Sequence, residues 1–347
     1  MEQEVSFLYH QLFRADDSND RASGEHADLI LPIGIVRISD PHVDLDVETT
    51  TGFMRYAFCI AADPSGSDVV IADSRIFAEY QRTIYVRKCL NRAILENAIE
   101  MYVQPLVCAR DGVMVACEAL ARLRDPDGEL IGPDEFIPIA ESNGMIADLG
   151  EQMFSKTCAF MASEDVKNSP LQCISVNLSP LQCVDAALAN TYIGIYERYH
   201  LKPGSVFLEV TEQSLEDSSV LHKQIVRLQS EGLSFVLDDF GSMSSNMERL
   251  KENPFVGVKL DKKMVWSYME TPDFIVQHVI AACHEMEIKV AAEGIETEEM
   301  ASVFRDLGCD FFQGYYYSRP VPKEEFLCRY SEVYPLSRTI LSFWGVY

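Results

Sequence analysis

Val206-Phe207-Leu208-Glu209-Val210-Thr211-Glu212 is a short apolar run that ends on carboxylates, and Phe235-Val236-Leu237-Asp238-Asp239 repeats the arrangement further along the chain. Runs this short, rich in β-branched and aromatic residues, suit buried strands. Between the two lies Val220 to Glu231, an amphipathic stretch of helical texture. Strand, helix and strand in that order predict parallel neighbours joined by a crossover.

The same texture continues in both directions. Met101-Tyr102-Val103, Val113 to Cys117 and Cys173 to Val176 lie upstream. Val256-Gly257-Val258, Lys289 to Ala292 and Phe311-Phe312 lie downstream. Pro133 to Ser142, Pro272 to Glu285 and Glu298 to Leu307 are amphipathic stretches that separate such runs. Short strands alternating with helices predict an α/β fold with a parallel sheet, and their number predicts a (β/α)8 TIM-type barrel.

Before Met101 the texture differs. Ala15 to His26 is polar and predicts irregular chain, Leu29 to Ile38 a strand, and Gly52 to Ala62 and Ser74 to Asn97 helices. Pro64-Ser65-Gly66-Ser67 marks a turn between those helices. The expected organisation is a small N-terminal α/β segment with its linker helix, residues 1–95, followed by a barrel domain, residues 96–347.

Composition narrows the functions available. The 347 residues are 48% hydrophobic and carry a net charge of -25. That charge excludes the counterion release on which duplex nucleic-acid binding depends, and argues against contact with an anionic membrane. No apolar stretch approaches a membrane span. Glu2 and Glu4 stand where a signal peptide would need positive charge. Ten cysteines with no C-x-x-C and no zinc-type spacing predict the reduced thiols of a cytoplasmic protein. A phosphate substrate would need its counter-charge from bound metal ions.

The residue after each apolar run carries the chemistry. In chain order these are Glu118, Asn177, Glu209, the pair Asp238 and Asp239, Lys259, Glu293 and Gln313, with Glu212 and Glu296 three residues beyond two of them. In a barrel of this type all such positions meet at one face, where active sites form. Carboxylates crowded there repel one another unless cations intervene. An all-oxygen set with an amide favours Mg2+ or Mn2+ over zinc. The adjacent Asp238 and Asp239 suit two ions side by side, the arrangement used for in-line displacement at phosphorus. A Schiff-base role for Lys259 is disfavoured, because neighbouring carboxylates raise the lysine pKa that such chemistry needs lowered.

These motifs also resemble a known family. Gln104-Pro105, Glu118-Ala119-Leu120-Ala121-Arg122, Phe136-Ile137-Pro138-Ile139-Ala140-Glu141 and Ser175-Val176-Asn177-Leu178-Ser179 are followed by Leu208-Glu209-Val210-Thr211-Glu212 and Leu237-Asp238-Asp239-Phe240-Gly241. Lys259-Leu260-Asp261, Ala292-Glu293-Gly294-Ile295-Glu296 and Gln313-Gly314-Tyr315 complete the series. In order and content it resembles the EAL-domain cyclic di-GMP phosphodiesterases.

The resemblance implies a TIM-like barrel whose first strand runs against the others, and metal-dependent opening of cyclic di-GMP to linear pGpG. It implies Glu118, Asn177, Glu209 and Asp238 as ligands of one ion, with Asp238 and Asp239 holding a second. Glu293 and Gln313 would join that shell partly through water, and Lys259 would hold the attacking water. Arg122 would contact a substrate phosphate, Gln104 and Pro138 would line the nucleotide pocket, and Glu212, Asp261 and Glu296 would brace the site. Mg2+ or Mn2+ would support turnover, Ca2+ would inhibit, and the protein would be a homodimer.

Two departures bear on activity. Met243 stands where the family carries a glycine and Ser244 where it carries an aromatic residue, in the loop that positions the second ion. Leu123 follows Arg122 where tryptophan is common. The loop change leaves open a receptor that binds cyclic di-GMP without cleaving it and signals through a partner. Ile33-Gly34-Ile35-Val36, the helix Phe53 to Ala62 and the link from Tyr80 to Leu95 resemble the last third of a GGDEF domain without its signature loop.

Overall fold

The computed structural model describes residues 46–61, 73–169, 171–211, 219–241, 250–251 and 254–333. The expected strand Leu29 to Ile38, the turn at Pro64, Glu212 and the Met243-Ser244 loop lie outside the described residues. The chain divides into two compact units, residues 1–85 and 86–347.

In the first unit the helix Val47–Ala61 begins earlier than the sequence pattern suggests, because the Asp46 carboxylate accepts the Thr49 backbone N–H at 2.7 Å and caps it. Phe53, Ala57 and Ile76 are buried together, with Tyr56, Phe77 and Tyr80 packed on them. The second helix, Ser74–Leu95, ends two residues before the expected Asn97, which takes a left-handed φ of 54°.

Among the described residues the second unit is built on ten strands. They are β1 Glu100–Cys108, β2 Met114–Arg124, β3 Leu130–Ile131, β4 Cys173–Asn177, β5 Val206–Thr211, β6 Ser234–Phe240, β7 Gly257–Leu260, β8 Lys289–Ala292, β9 Phe311–Phe312 and β10 Val321–Pro322. β2 and β4 through β9 form a parallel series, and β1 closes it by pairing antiparallel with both β2 and β9. The closed eight-stranded barrel with one antiparallel strand is the expected fold. β3 and β10 are short additions, paired with β2 and β1.

β1 is longer than Met101 to Val103. Its apolar pattern breaks at Gln104-Pro105, yet the strand continues through both, with Pro105 opposite Cys117. β2 likewise runs past Glu118, which lies mid-strand rather than at a strand end.

The barrel interior is layered. Leu106, Cys108, Ala116, Cys173, Phe207, Val236, Ala291 and Phe311 form one apolar cluster, with Val256 packed against it. Side chains on a strand alternate with period two. Two residues on from Ala116, Phe207, Val236, Ala291 and Phe311 come Glu118, Glu209, Asp238, Glu293 and Gln313. β1 runs the other way, so Gln104 lies two residues before Leu106, directly opposite Glu118. A polar ring therefore sits immediately above an apolar plug.

Helices cover the outside. Pro133–Ser142 carries proline in its first turn, where no backbone donor is needed. Thr297 caps Glu298–Asp306 by accepting the Met300 N–H at 3.2 Å. Ile146–Met161 buries nine of its sixteen residues and turns Asp148, Glu151, Gln152, Ser155 and Lys156 to the opposite face.

Candidate active site

Lys259 is the hub of the ring. Its side chain is 4% exposed, and its Nζ lies 2.7 Å from Glu293 Oε1, 3.1 Å from both Glu118 Oε2 and Glu209 Oε2, and 3.5 Å from Asp238 Oδ1. One buried ammonium thus faces four carboxylates drawn from β2, β5, β6 and the residue after β8. Amides complete the arrangement. Asn177 Nδ2 donates to Glu118 Oε1 at 2.7 Å, and Gln313 Nε2 donates to Glu118 Oε2 at 2.7 Å.

The electrostatics follow from burial and from this imbalance. Burial opposes ionisation of Glu118, but Lys259 and the hydrogen bonds from Gln313 and Asn177 outweigh it and hold the carboxyl below its ordinary range. Burial pushes Glu209 well up, and the Glu118 charge adds to it, while the Ser175 hydroxyl draws it down. Asp238 is also raised by burial, against the pull of Lys259. Glu293 is pushed up to about 8, by burial first and despite Lys259. Lys259 is itself raised well above the usual lysine range, burial being overcome by Asp238, Glu118, Glu209 and Glu293.

Asp239 needs a local device to reach the ring. Consecutive residues of a regular strand face opposite sides. The β6–β7 register shifts between Leu237 and Phe240, and Asp239 adopts a φ of 53°, which aspartate tolerates better than most residues. Its N–H donates to Asp238 Oδ1 at 2.9 Å. Carboxylate oxygens of Asp238, Asp239 and Glu293 then lie within 4.8 Å of one another. Burial, with the charges of Asp238 and Asp261, pushes the Asp239 carboxyl up to about 6. Asp261 is buried and caps the helix Lys262–Glu270, accepting the Lys263 N–H at 2.7 Å.

Residues 87–320 match the family model for the EAL domain. This chain belongs to the EAL domain family. It is 30% identical over 270 residues to the bifunctional diguanylate cyclase/cyclic di-GMP phosphodiesterase MucR of Pseudomonas aeruginosa, covering 77% of this chain and 39% of MucR. It is 30% identical over 239 residues to the cyclic di-GMP phosphodiesterase RocR of the same organism, covering 68% of this chain and 61% of RocR. The chain therefore spans less than two thirds of the length of either relative. Among solved structures, the PaMucR phosphodiesterase in its c-di-GMP complex aligns with a TM-score of 0.65 at 31% identity, over 70% of this chain and 99% of that one.

In this EAL domain two cavities flank the carboxylates. The first, about 290 Å³, is lined by Glu118, Asp238, Glu293, Gln313 and Gln104, and by Lys262, Trp266, Glu296 and Tyr315. Trp266 is anchored there by donating its indole N–H to Gly294 O at 2.9 Å. The second, about 470 Å³, reaches Asn177 and Glu209 from the other side and is lined by Arg122, Leu120, Ile137, Glu141 and Leu178 among others. Arg122 donates to Ala121 O at 2.8 Å and lies 5.4 Å above the Tyr102 ring. Pro138 is exposed on its helix and is not among the residues lining that cavity. Glu296 is exposed at the mouth of the first cavity.

Sequence reasoning did not single out Trp266, Tyr315, Lys262 or Ser175. Trp266 and Lys262 share the helix that follows the Lys259-Leu260-Asp261 motif, one turn apart. Ser175 occupies the ring position on β4, two residues on from Cys173. The period-two rule that places Glu118 and Glu209 would have found it.

The residues present fit divalent cations. The four carboxylates about Lys259 exceed its charge by three if all are ionised, four minus one, before Asp239 is added. The donors are all oxygen or amide, and the Gln313 Oε1 is buried without a partner among the described residues. Hard cations such as Mg2+ and Mn2+ suit that set.

Proposed function

We propose that the protein is a divalent-metal-dependent phosphodiesterase that opens cyclic di-GMP to linear pGpG. The observation that carries this is the ring of four carboxylates, closed around Lys259 and flanked by the Asn177 and Gln313 amides, at the mouth of two cavities. Relatives whose names state this activity support it.

Glu118, Asn177, Glu209 and Asp238 would ligate one ion and Asp238 with Asp239 a second, with Mg2+ or Mn2+ as the metal. When bound, the ions supply a water of lowered pKa and neutralise charge developing at phosphorus. Lys259 holds a proton at Nζ throughout, since the surrounding carboxylates raise it, so it orients the attacking water as a hydrogen-bond donor. Arg122 contributes positive charge from the second cavity. The barrel floor of Phe207, Val236 and Phe311 excludes water from beneath.

Incubation of cyclic di-GMP with the protein and Mn2+ or Mg2+, with chromatography of the product, tests the proposal. Linear pGpG formed with either ion, absent with EDTA and suppressed by Ca2+, is the expected result. Failure of both ions to yield product would defeat it.

A second function has its own observation, the replacement of a glycine by Met243 and of an aromatic by Ser244. A receptor would bind cyclic di-GMP and release it intact. The proposal extends to a homodimer, by family resemblance, and to the cytoplasm, where ten free thiols would remain reduced. It also takes residues 1–95 as a GGDEF-like remnant ahead of an EAL domain at 96–347. No helix among the described residues is long and apolar enough to cross a membrane.

A further inference from the structure

We propose that Gln104 is a positioning residue, which fixes the side-chain amide of Gln313 so that its oxygen is left for a cation or a cation-held water. This rests on the metal-dependent function proposed above. It differs from the pocket-lining role that family resemblance implies for Gln104.

The geometry is a chain of two amides between two obligate acceptors. Gln104 Nε2 donates to the Ser318 backbone carbonyl at 3.0 Å, and Gln104 Oε1 accepts from Gln313 Nε2 at 3.2 Å. The same Gln313 Nε2 donates to Glu118 Oε2 at 2.7 Å. A carbonyl oxygen cannot donate, so Gln104 must turn its NH2 to Ser318 and its oxygen to Gln313. Glu118, paired with Lys259 at 3.1 Å, accepts as well, so Gln313 must turn its NH2 toward both. Rotating the Gln104 amide by half a turn would set oxygen against oxygen at Ser318 and NH2 against NH2 at Gln313, and rotating the Gln313 amide would set its oxygen against the oxygens of both Glu118 and Gln104. Only one polarity satisfies the chain.

That polarity has a consequence at its free end. Gln313 is 5% exposed, and its Oε1 has no partner among the described residues. A buried carbonyl beside ionised carboxylates calls for a cation or a water donor. The anchor is itself rigid, because the Tyr317 and Ser318 N–H groups both donate to Gly314 O at 3.1 Å. β1 thus contributes to the ring through an amide whose own nitrogen and oxygen are already engaged.

A double-mutant cycle in the full-length chain tests this, with Mn2+ affinity measured calorimetrically in the absence of nucleotide. Gln104→Met keeps side-chain length and removes both hydrogen bonds. Losing a hydrogen bond that orients a metal ligand weakens affinity about tenfold, and that is the expected effect. In a Gln313→Met background, Gln104→Met should then change nothing further, because its action passes through Gln313. Independent, multiplying losses would overturn the proposal. So would unchanged Mn2+ affinity with a raised KM for cyclic di-GMP, the signature of direct nucleotide contact. Should Gln104→Met fail to fold, Gln104→Asn, whose amide is one methylene too short to bridge both partners, carries the same test. A wild type that binds Mn2+ and cleaves nothing defeats only the phosphodiesterase proposal, and the cycle still decides on Gln104. A wild type that binds no Mn2+ defeats both.

Discussion

Replacing Lys259 with methionine is the perturbation to which the ring should respond most. The change keeps the buried stem and removes an ammonium that lies within 3.5 Å of four carboxylates. Removing one partner of a buried ion pair costs about 3–5 kcal/mol, because the other charge is left uncompensated. The cluster limits the loss by taking up protons, since burial already pushes Glu293 to about 8 and Glu209 well up. For a domain of this size each kcal/mol moves the melting temperature by about 2–4 °C, so the metal-free variant should melt about 6–20 °C below wild type. Mn2+ changes the comparison. An ion at a hundred times its Kd stabilises by about 2.7 kcal/mol. The variant should gain more than wild type at equal Mn2+, because the ion takes over a neutralising role that the ammonium fills in the parent. Thermal scans in EDTA and in Mn2+ measure both quantities. A variant that melts with wild type in EDTA, or gains no more from Mn2+, would show that Lys259 is not the counter-ion of this cluster. With Mn2+ present, turnover should fall at least about a hundredfold, since the donor proposed to orient the water is gone.

Gly314→Ala should break the site without unfolding the barrel: an added Cβ would collide with the Ile295 backbone O and N, so the segments carrying Glu293 and Gln313 must part. A displacement near 1 Å costs about a hundredfold in rate, which steady-state kinetics would detect. Asp239→Asn carries a pH signature in EDTA. The carboxyl titrates near 3.8 ordinarily and near about 6 in the fold, so the fold loses stability as pH rises between these values and does not regain it above. The Asn variant should therefore outlast wild type in EDTA above about pH 6 and match it below about pH 4, while hydrolysis with Mn2+ collapses; a variant less stable at pH 7 would contradict the assignment. Phe207→Ala, in the plug beneath Glu209, should cost about 3–5 kcal/mol in urea titrations, with the Mn2+-induced rise in melting temperature preserved.

The barrel and most of its ring were legible because period-two alternation couples an apolar floor to a polar rim on the same strands. Val236 and Asp238, or Phe207 and Glu209, announce both layers at once. Legibility failed where a strand departs from that pattern. β1 hid behind Gln104-Pro105, a polar residue and a residue without an N–H, although the first is a ring member and the second sits in an antiparallel pair. Glu118 looked terminal because from Ala119 to Arg124 small and charged residues interrupt Leu120 and Leu123, yet β2 continues there to reach β3. Asp239 shares the site only through a left-handed φ and a register shift, neither of which residue type alone encodes. Trp266 lies outside any strand, and only the tight approach of its helix to Gly294, where a Cβ would meet Lys262 Cβ at 2.6 Å, brings it to the cavity.

The layering also explains how a fold tolerates such repulsion. A closed barrel has no free edge, so its backbone hydrogen bonds do not depend on what its side chains do at the rim. The plug of Leu106, Phe207, Val236 and Phe311 contributes burial that is independent of protonation or metal. Two residues above it, the charged ring can therefore be assembled at a net cost in the metal-free state. Lys259 holds that cost within bounds, and the remaining negative charge becomes affinity for a divalent ion. Substitutions in the plug should then move stability and leave the metal response intact, whereas substitutions of the ring carboxylates should move the metal response and leave the fold. A ring variant that lost stability without changing its response to Mn2+ would mean that the two layers are not separable, and that the carboxylates serve the barrel rather than the ion.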